Sequence, residues 1–249
     1  MIPLFLPTSS NVLSVSESLI PTILNGGSRY QIATNDWFDS LDWIKNNTPK
    51  DSVIGAWWDY GYWIQTVSER KTLADNSTLM QMRIKLIANS FFENPDDAWL
   101  TLRNDLGADY FVIFITAEKL PFITEDGKSL YLSNGGGDES KKFWFSMISD
   151  YPINDFINDD NISGTEKFWN ETFLGQIIPF KQIGFVNFET NQISEEYIPG
   201  WTPVFEREIK LSADEDPFKL VYSSPSYDDE IVIGVFVYEI NKNYILSND

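Results

Sequence analysis

The stretch that most constrains this chain is Tyr110-Phe111-Val112-Ile113-Phe114-Ile115, an apolar run without alternation. A strand with one face in water alternates apolar and polar residues, so an unbroken run predicts a strand covered on both faces. It is far too short to cross a bilayer, which takes about 18 apolar residues or more. Just before it lies the best-marked helix, with Asn94 as cap, Pro95 at the first position, Asp96 and Asp97 in the first turn and Gly107 past the end. Further upstream, residues 52–57 read as a short apolar strand. Residues 79–92 read as a helix, with Leu79, Met82 and Leu86 at helical spacing. Strand, helices and strand in this order make an α/β unit, whose loops at the carboxyl ends of the strands are favoured for function.

Residues 1–30, rich in Ser, Asn, Pro and Gly and ending in Asn25-Gly26-Gly27-Ser28, read as an irregular lead-in or linker. The opening residues, Met1-Ile2-Pro3-Leu4, lack the basic region of a signal peptide. Asn35 or Asp36 caps a helix carrying Trp37, Leu41 and Ile44 on one face, stopped by Pro49. After Asn134-Gly135-Gly136-Gly137, Asp138 caps another through Phe143, Trp144, Met147 and Ile148. From Phe180 onward the texture changes to short alternating segments at 182–188, 204–211, 218–222 and 231–240, which read as strands. The expected class is α+β: a mixed α/β central core over 31–179, followed by a β-rich peripheral unit over 180–249.

Composition excludes several chemistries. The 249 residues include no Cys and no His, which removes disulfides, thiol nucleophiles, Ser-His-Asp triads and His or Cys zinc sites. A net charge of −19 excludes a nucleic-acid backbone as partner, because counterion release needs a basic surface. The pairs Asp96-Asp97 and Asp159-Asp160 and the run Asp228-Asp229-Glu230 lack the spacing of a Ca2+ loop and read as solvated surface.

The most informative string is Trp57-Trp58-Asp59-Tyr60-Gly61-Tyr62-Trp63. A generic aromatic run is core, but this one carries an acid and a glycine directly after a predicted strand. Asp59 has to meet a donor or water, since burying it unpaired is costly. Two indole N–H donors beside one carboxylate can donate to and accept from a single hydroxyl. Such a site rejects a ligand lacking that hydroxyl, because its own polar groups then go unpaired. The competing reading is an extracellular, aromatic-rich carbohydrate-binding module whose tryptophans stack on pyranose rings.

Trp57-Trp58-Asp59-Tyr60-Gly61 resembles the signature of the catalytic subunit of asparagine-linked oligosaccharyltransferase, and Leu73-Ala74-Asp75-Asn76-Ser77-Thr78 resembles a segment that follows it in that family. Leu220-Val221-Tyr222-Ser223-Ser224 is similar to a third. The likeness runs from about residue 30 to the end and is closest to the archaeal branch.

What the resemblance implies is a division of labour. Members are multi-pass membrane proteins with a globular C-terminal domain on the external face. They move an oligosaccharide from a lipid carrier to Asn in Asn-x-Ser/Thr. By resemblance, Trp57, Trp58 and Asp59 bind the Ser or Thr hydroxyl, with Tyr60 and Gly61 supporting them. The catalytic carboxylates and a divalent metal, Mn2+ or Mg2+, belong to the membrane part outside this chain, which has no catalytic or metal-binding residue of its own.

A second family element has the pattern Asp-x-x-Lys-x-x-x-Met/Ile, and two registers fit. Strict spacing takes Asp138 and Lys141, with Phe145 at the apolar position. The Lys-Phe-aromatic texture takes Glu139 and Lys142, with Ser146 at that position and Met147 one place along. The second register is favoured, with Met147 packing on the threonine methyl, so Thr is expected to be preferred to Ser. Asn46, Asn76, Asn161 and Asn170 also begin sequons in this chain.

Overall fold

The computed structural model describes residues 35–123, 127–133, 137–190 and 192–246. The lead-in expected at 1–30 and the residues Asn134 to Gly136 lie outside them. Helix α1, Asp36–Asn47, lays Trp37, Leu41 and Ile44 into the core as its spacing predicts. Strand β1 is Val53–Gly55, shorter than expected. It runs into a 3₁₀ turn, Trp58–Tyr60, and helix α2, Gly61–Thr66. Strand β2 is Lys71–Thr72 and helix α3 is Gln81–Ser90. Helix α4, Pro95–Trp99, begins where the sequence marks it: Asn94 Oδ1 accepts the Asp97 N–H at 3.0 Å, with Pro95 in the first turn. It continues as a π-helical turn, Leu100–Asp105, instead of one uniform helix.

The apolar run lies in a longer strand, β3, Tyr110–Ile123. Strand β4, Ser129–Ser133, follows. Helix α5, Lys142–Ile148, is led by a 3₁₀ turn, Glu139–Lys141. Helices α6, Glu166–Glu171, and α7, Phe173–Ile177, were not anticipated. Each is capped by a threonine side chain, Thr165 and Thr172 respectively. Strands β5, Phe180–Asn187; β6, Gln192–Ser194; β7, Thr202–Arg207; β8, Phe218–Ser223; and β9, Ile231–Ile240 complete the described chain.

Among the described residues these strands form one nine-stranded sheet, ordered β2-β1-β3-β4-β7-β5-β6, with β9 on the other edge of β3 and β8 beyond it. Strand β3 pairs in parallel with β1 and antiparallel with β9 from Tyr110↔Glu239 to Glu118↔Ile231. Successive side chains of a strand alternate faces. Phe111 therefore meets Phe91, just past α3, and Phe173 of α7 on one side, while Phe114 meets Trp37 of α1 and Tyr60 on the other. Both faces are covered, as the unbroken run required.

The mixed α/β class is the one expected, but the boundary at 179/180 does not separate two cores. Strand β9, from the expected peripheral unit, is the full-length neighbour of β3, and Phe236, Val237 and Tyr238 lie in one cluster with Phe111 and Phe114. Burying a central strand on both edges is what draws the last strand back into the middle of the sheet.

Strand β3 has a gap along one edge. Strand β1 pairs with it only as far as Phe111, and β4 begins at Ala117. Asp138 fills the space: its N–H donates to Phe114 O at 2.6 Å, and its Oδ2 accepts the Phe114 N–H at 2.8 Å. A Cβ on Gly137 would stand 2.9 Å from Phe114 O and from Thr116 N, so only glycine brings the chain this close. The gap adjoins the carboxyl end of β1, where the Trp57–Gly61 string begins.

Candidate functional site

The string turns sharply because its parts are pinned separately. Gly61 opens α2 against the backbone of the following loop: an added Cβ would lie 2.3 Å from Ala74 O and 2.5 Å from Asp75 Cα. Asn76 staples that loop to the turn, its Nδ2 donating to Asp59 O at 3.0 Å and its Oδ1 accepting the Tyr62 N–H at 3.2 Å. Trp57 is 5% exposed and packs on Phe145 at 4.5 Å between ring centroids, on Phe91 at 6.1 Å and on Trp58 at 6.3 Å. Its ring offers no open face for stacking a sugar.

Asp59, Tyr60, Asp138 and Lys141 converge. Lys141 Nζ donates to Asp59 Oδ2 and to Tyr60 OH, both at 2.7 Å, and lies 3.4 Å from Asp138 Oδ1. The Tyr60 hydroxyl donates to Asp138 Oδ1 at 2.7 Å. Burial, then the Asp138 and Asp59 carboxylates, push the Tyr60 phenol well above its usual range, so it stays a neutral donor. Burial also raises the Asp59 carboxyl, Lys141 pulls against that, and Asp138 adds to the rise.

One ammonium is thus shared by two carboxylates, and one oxygen is left over. Asp59 Oδ1 is buried and has no hydrogen-bond partner. Orphaned buried polar atoms are rare and costly; among the described residues Trp37 Nε1, Glu93 Oε2 and Arg207 Nε are others, but only Asp59 lies in this string. The indole N–H groups of Trp57 and Trp58 likewise make no hydrogen bond among the described residues, and neither nitrogen is sealed from solvent. A buried acceptor and two donors therefore stand unpaired in consecutive residues at one strand end. Among the described residues no three carboxylates converge as a metal-ligand set, and Lys141 is already paired with both Asp59 and Asp138.

The two registers of the Asp-x-x-Lys element behave differently. Asp138, Lys141 and Phe145, the strict register, are the residues in contact with Tyr60, Asp59 and Trp57. The favoured register is corrected. Lys142 is 1% exposed and pairs with Glu139 inside the fold, Ser146 donates back to Phe143 O, and Met147 is 64% exposed. The reason is rotational: a 3₁₀ turn advances about 120° per residue, so adjacent lysines cannot share a direction. Gly137 and Phe91 were not anticipated at the site. The glycine run before Asp138 was the available signal for the first, and nothing local signals the second.

This is a mixed α/β domain in which a buried, unpartnered carboxylate oxygen of Asp59 follows Trp57 and Trp58 at the end of a parallel strand. Residues 50–101, which hold both the Trp57–Gly61 string and the Leu73–Thr78 segment, match the STT3/PglB/AglB core domain. The dolichyl-diphosphooligosaccharide–protein glycosyltransferase subunit stt3 of Schizosaccharomyces pombe is 34% identical over 105 residues, which cover 42% of this chain and 14% of the relative. The corresponding subunit of Caenorhabditis elegans is 30% identical over 105 residues, with the same coverage. The chain thus spans a small part of these relatives. Among solved structures, the C-terminal globular domain of an oligosaccharyltransferase from Archaeoglobus fulgidus aligns at 19% identity with a TM-score of 0.46, over 84% of this chain and 99% of that one. No helix among the described residues is long and apolar enough to cross a membrane.

Proposed function

We propose that this chain is the acceptor-binding globular part of an archaeal-type oligosaccharyltransferase, holding the Ser or Thr hydroxyl of an Asn-x-Ser/Thr sequon. The observation that carries the reading is the buried Asp59 Oδ1, which has no hydrogen-bond partner and directly follows Trp57 and Trp58 in the chain. A hydroxyl donates to the first and accepts from an indole, satisfying groups that are otherwise unpaired. Discrimination follows from the vacancy itself: Ala at that position fills no hydrogen bond and leaves the carboxylate oxygen buried and unmet. Lys141 holds Asp59 Oδ2, which leaves Oδ1 as the one oxygen to offer.

In the full-length enzyme the domain works on the external face of the membrane, against the enzyme's own membrane-spanning part. That part holds the lipid-linked oligosaccharide and a divalent metal, Mn2+ or Mg2+. The chain alone transfers no glycan, because the groups that activate the acceptor amide lie elsewhere.

A photocrosslinkable Asn-x-Thr peptide tests the reading. It is expected to label residues around Trp57 to Asp59, with Asn-x-Ala and Gln-x-Thr controls labelling less. Equal labelling by all three, together with saturable binding of free oligosaccharide, would replace the sequon reading with a carbohydrate-binding one.

A further inference from the structure

Consecutive residues carry two acids, Asp138 and Glu139, and two lysines, Lys141 and Lys142, so the i,i+3 pairs Asp138–Lys141 and Glu139–Lys142 interleave on one turn. They sort to opposite sides. Lys141 reaches Asp59 and Tyr60, while Lys142, 1% exposed, turns inward to Glu139. Glu139 Oε1 accepts from Lys142 Nζ, which also donates to the Glu139 carbonyl at 3.0 Å, and Glu139 Oε2 accepts from Ser133 Oγ of β4 at 2.7 Å. Lys142 Nζ lies 5.8 Å from the Phe168 ring centroid on α6. The turn is thereby fastened to β4 and α6 from behind, while Asp138 fastens it to β3 in front.

A buried ion pair is a poor way to add stability, because desolvation offsets the attraction and an apolar pair of similar size serves as well or better. Its best-attested use is to fix a register. Without it, either lysine could turn toward Asp59 and Asp138, and either acid could claim Lys141.

We infer that Glu139 and Lys142 are positioning residues: their buried pair fixes the rotation of the Glu139–Lys141 turn so that Lys141 alone faces Asp59, holding its Oδ2 and leaving Oδ1 open. The use of that opening rests on the acceptor reading; the positioning does not.

The test follows the Asp59 carboxyl by 13C NMR titration in the 249-residue chain, alongside peptide labelling and thermal unfolding. In Glu139→Gln the Asp59 midpoint is expected to rise by about one pH unit, because Lys141 no longer holds the carboxylate. Asn-x-Thr labelling is expected to fall about tenfold, while Lys142→Arg keeps both near wild type. The apolar pair Glu139→Leu with Lys142→Met leaves no stranded buried charge and guards against failure to fold. It too is expected to raise the midpoint. A folded apolar-pair variant with an unchanged Asp59 midpoint overturns the positioning role. A raised midpoint with unchanged labelling keeps the positioning and removes the acceptor reading.

Discussion

Two partly buried charged regions of this molecule are built on opposite terms. At the end of β1, two carboxylates share Lys141 and a carboxylate oxygen is left over. Elsewhere, Lys210 has no carboxylate of the described residues within ion-pair distance. Its Nζ donates to the carbonyls of Gly175 and of Phe180, the latter at 2.9 Å, and sits 5.3 Å from the Trp169 ring centroid. Burial pulls the Lys210 ammonium down to about 8. These contacts are made within the fold, on α6, α7 and β5. The contrast separates a charge tied down by its own structure from one whose last hydrogen-bonding position is vacant. Only the second arrangement offers a ligand something the chain cannot supply itself.

The sharpest way to break this contrast is Gly61→Ala. Its Cβ would overlap the Ala74 and Asp75 backbone, which cannot move aside as a side-chain tip would. Calorimetry should show a loss of about 3 kcal/mol, and peptide labelling should vanish because Asn76 no longer staples the turn. Next in size, Asp59→Ala should reduce Asn-x-Thr binding by about 2 kcal/mol, roughly thirtyfold, read by titration calorimetry. Lys210→Met should leave that binding unchanged. Weakened peptide binding in Lys210→Met would mean that the two regions are coupled and the comparison false.

Titration sharpens the comparison further, because the two groups act with opposite signs. Asp59 has a raised carboxyl in the fold, so the stability it contributes is present below its unfolded value and lost as pH climbs through the folded one. Asp59→Asn should therefore unfold at a higher temperature than wild type at pH 7, an advantage that shrinks toward pH 4. A variant that gains stability while losing its ligand marks a vacancy kept for binding. Lys210 is depressed, so between about 8 and its unfolded value near 10.5 the unfolded chain holds more protons and stability rises with pH. The slope should disappear in Lys210→Met. Tyr222 and Tyr227, both pushed up to about 12, act the other way above pH 10 in both proteins and cancel in the difference.

The smallest effect is expected for Met147→Ala. Met147 is 64% exposed, and Phe145 occupies the place against Trp57, so the ratio of Thr to Ser labelling should not move. A changed ratio would bring Met147 back to the acceptor's methyl group.

Much of this was legible in the residues. The unbroken run at 110–115 required a strand covered on both faces, and the cap, proline and acids at 94–97 placed a helix start. An acid set among tryptophans after a strand implied a polar recognition point. The rest depended on long-range contacts. The partner of the run, β9, lies more than a hundred residues away, and nothing local ties the two together. The strand β4 and the short helices α6 and α7 are too brief for periodicity to speak, although Thr165 and Thr172 carried their capping signal. The choice between Lys141 and Lys142 was set by what stands behind the turn, Ser133 and Phe168, and not by the lysines' immediate neighbours.

The plug that Asp138 makes in the edge of β3 has a consequence for any polypeptide that comes to this place. An open strand edge is a template on which extended chains of almost any sequence can add, through backbone bonds that are blind to side chains. Here a single carboxylate and its own amide already occupy the Phe114 rung. A visiting chain cannot join the sheet at that rung and has to be judged by what its side chains offer. The fold thus withholds indiscriminate adhesion on the strand edge beside Asp59.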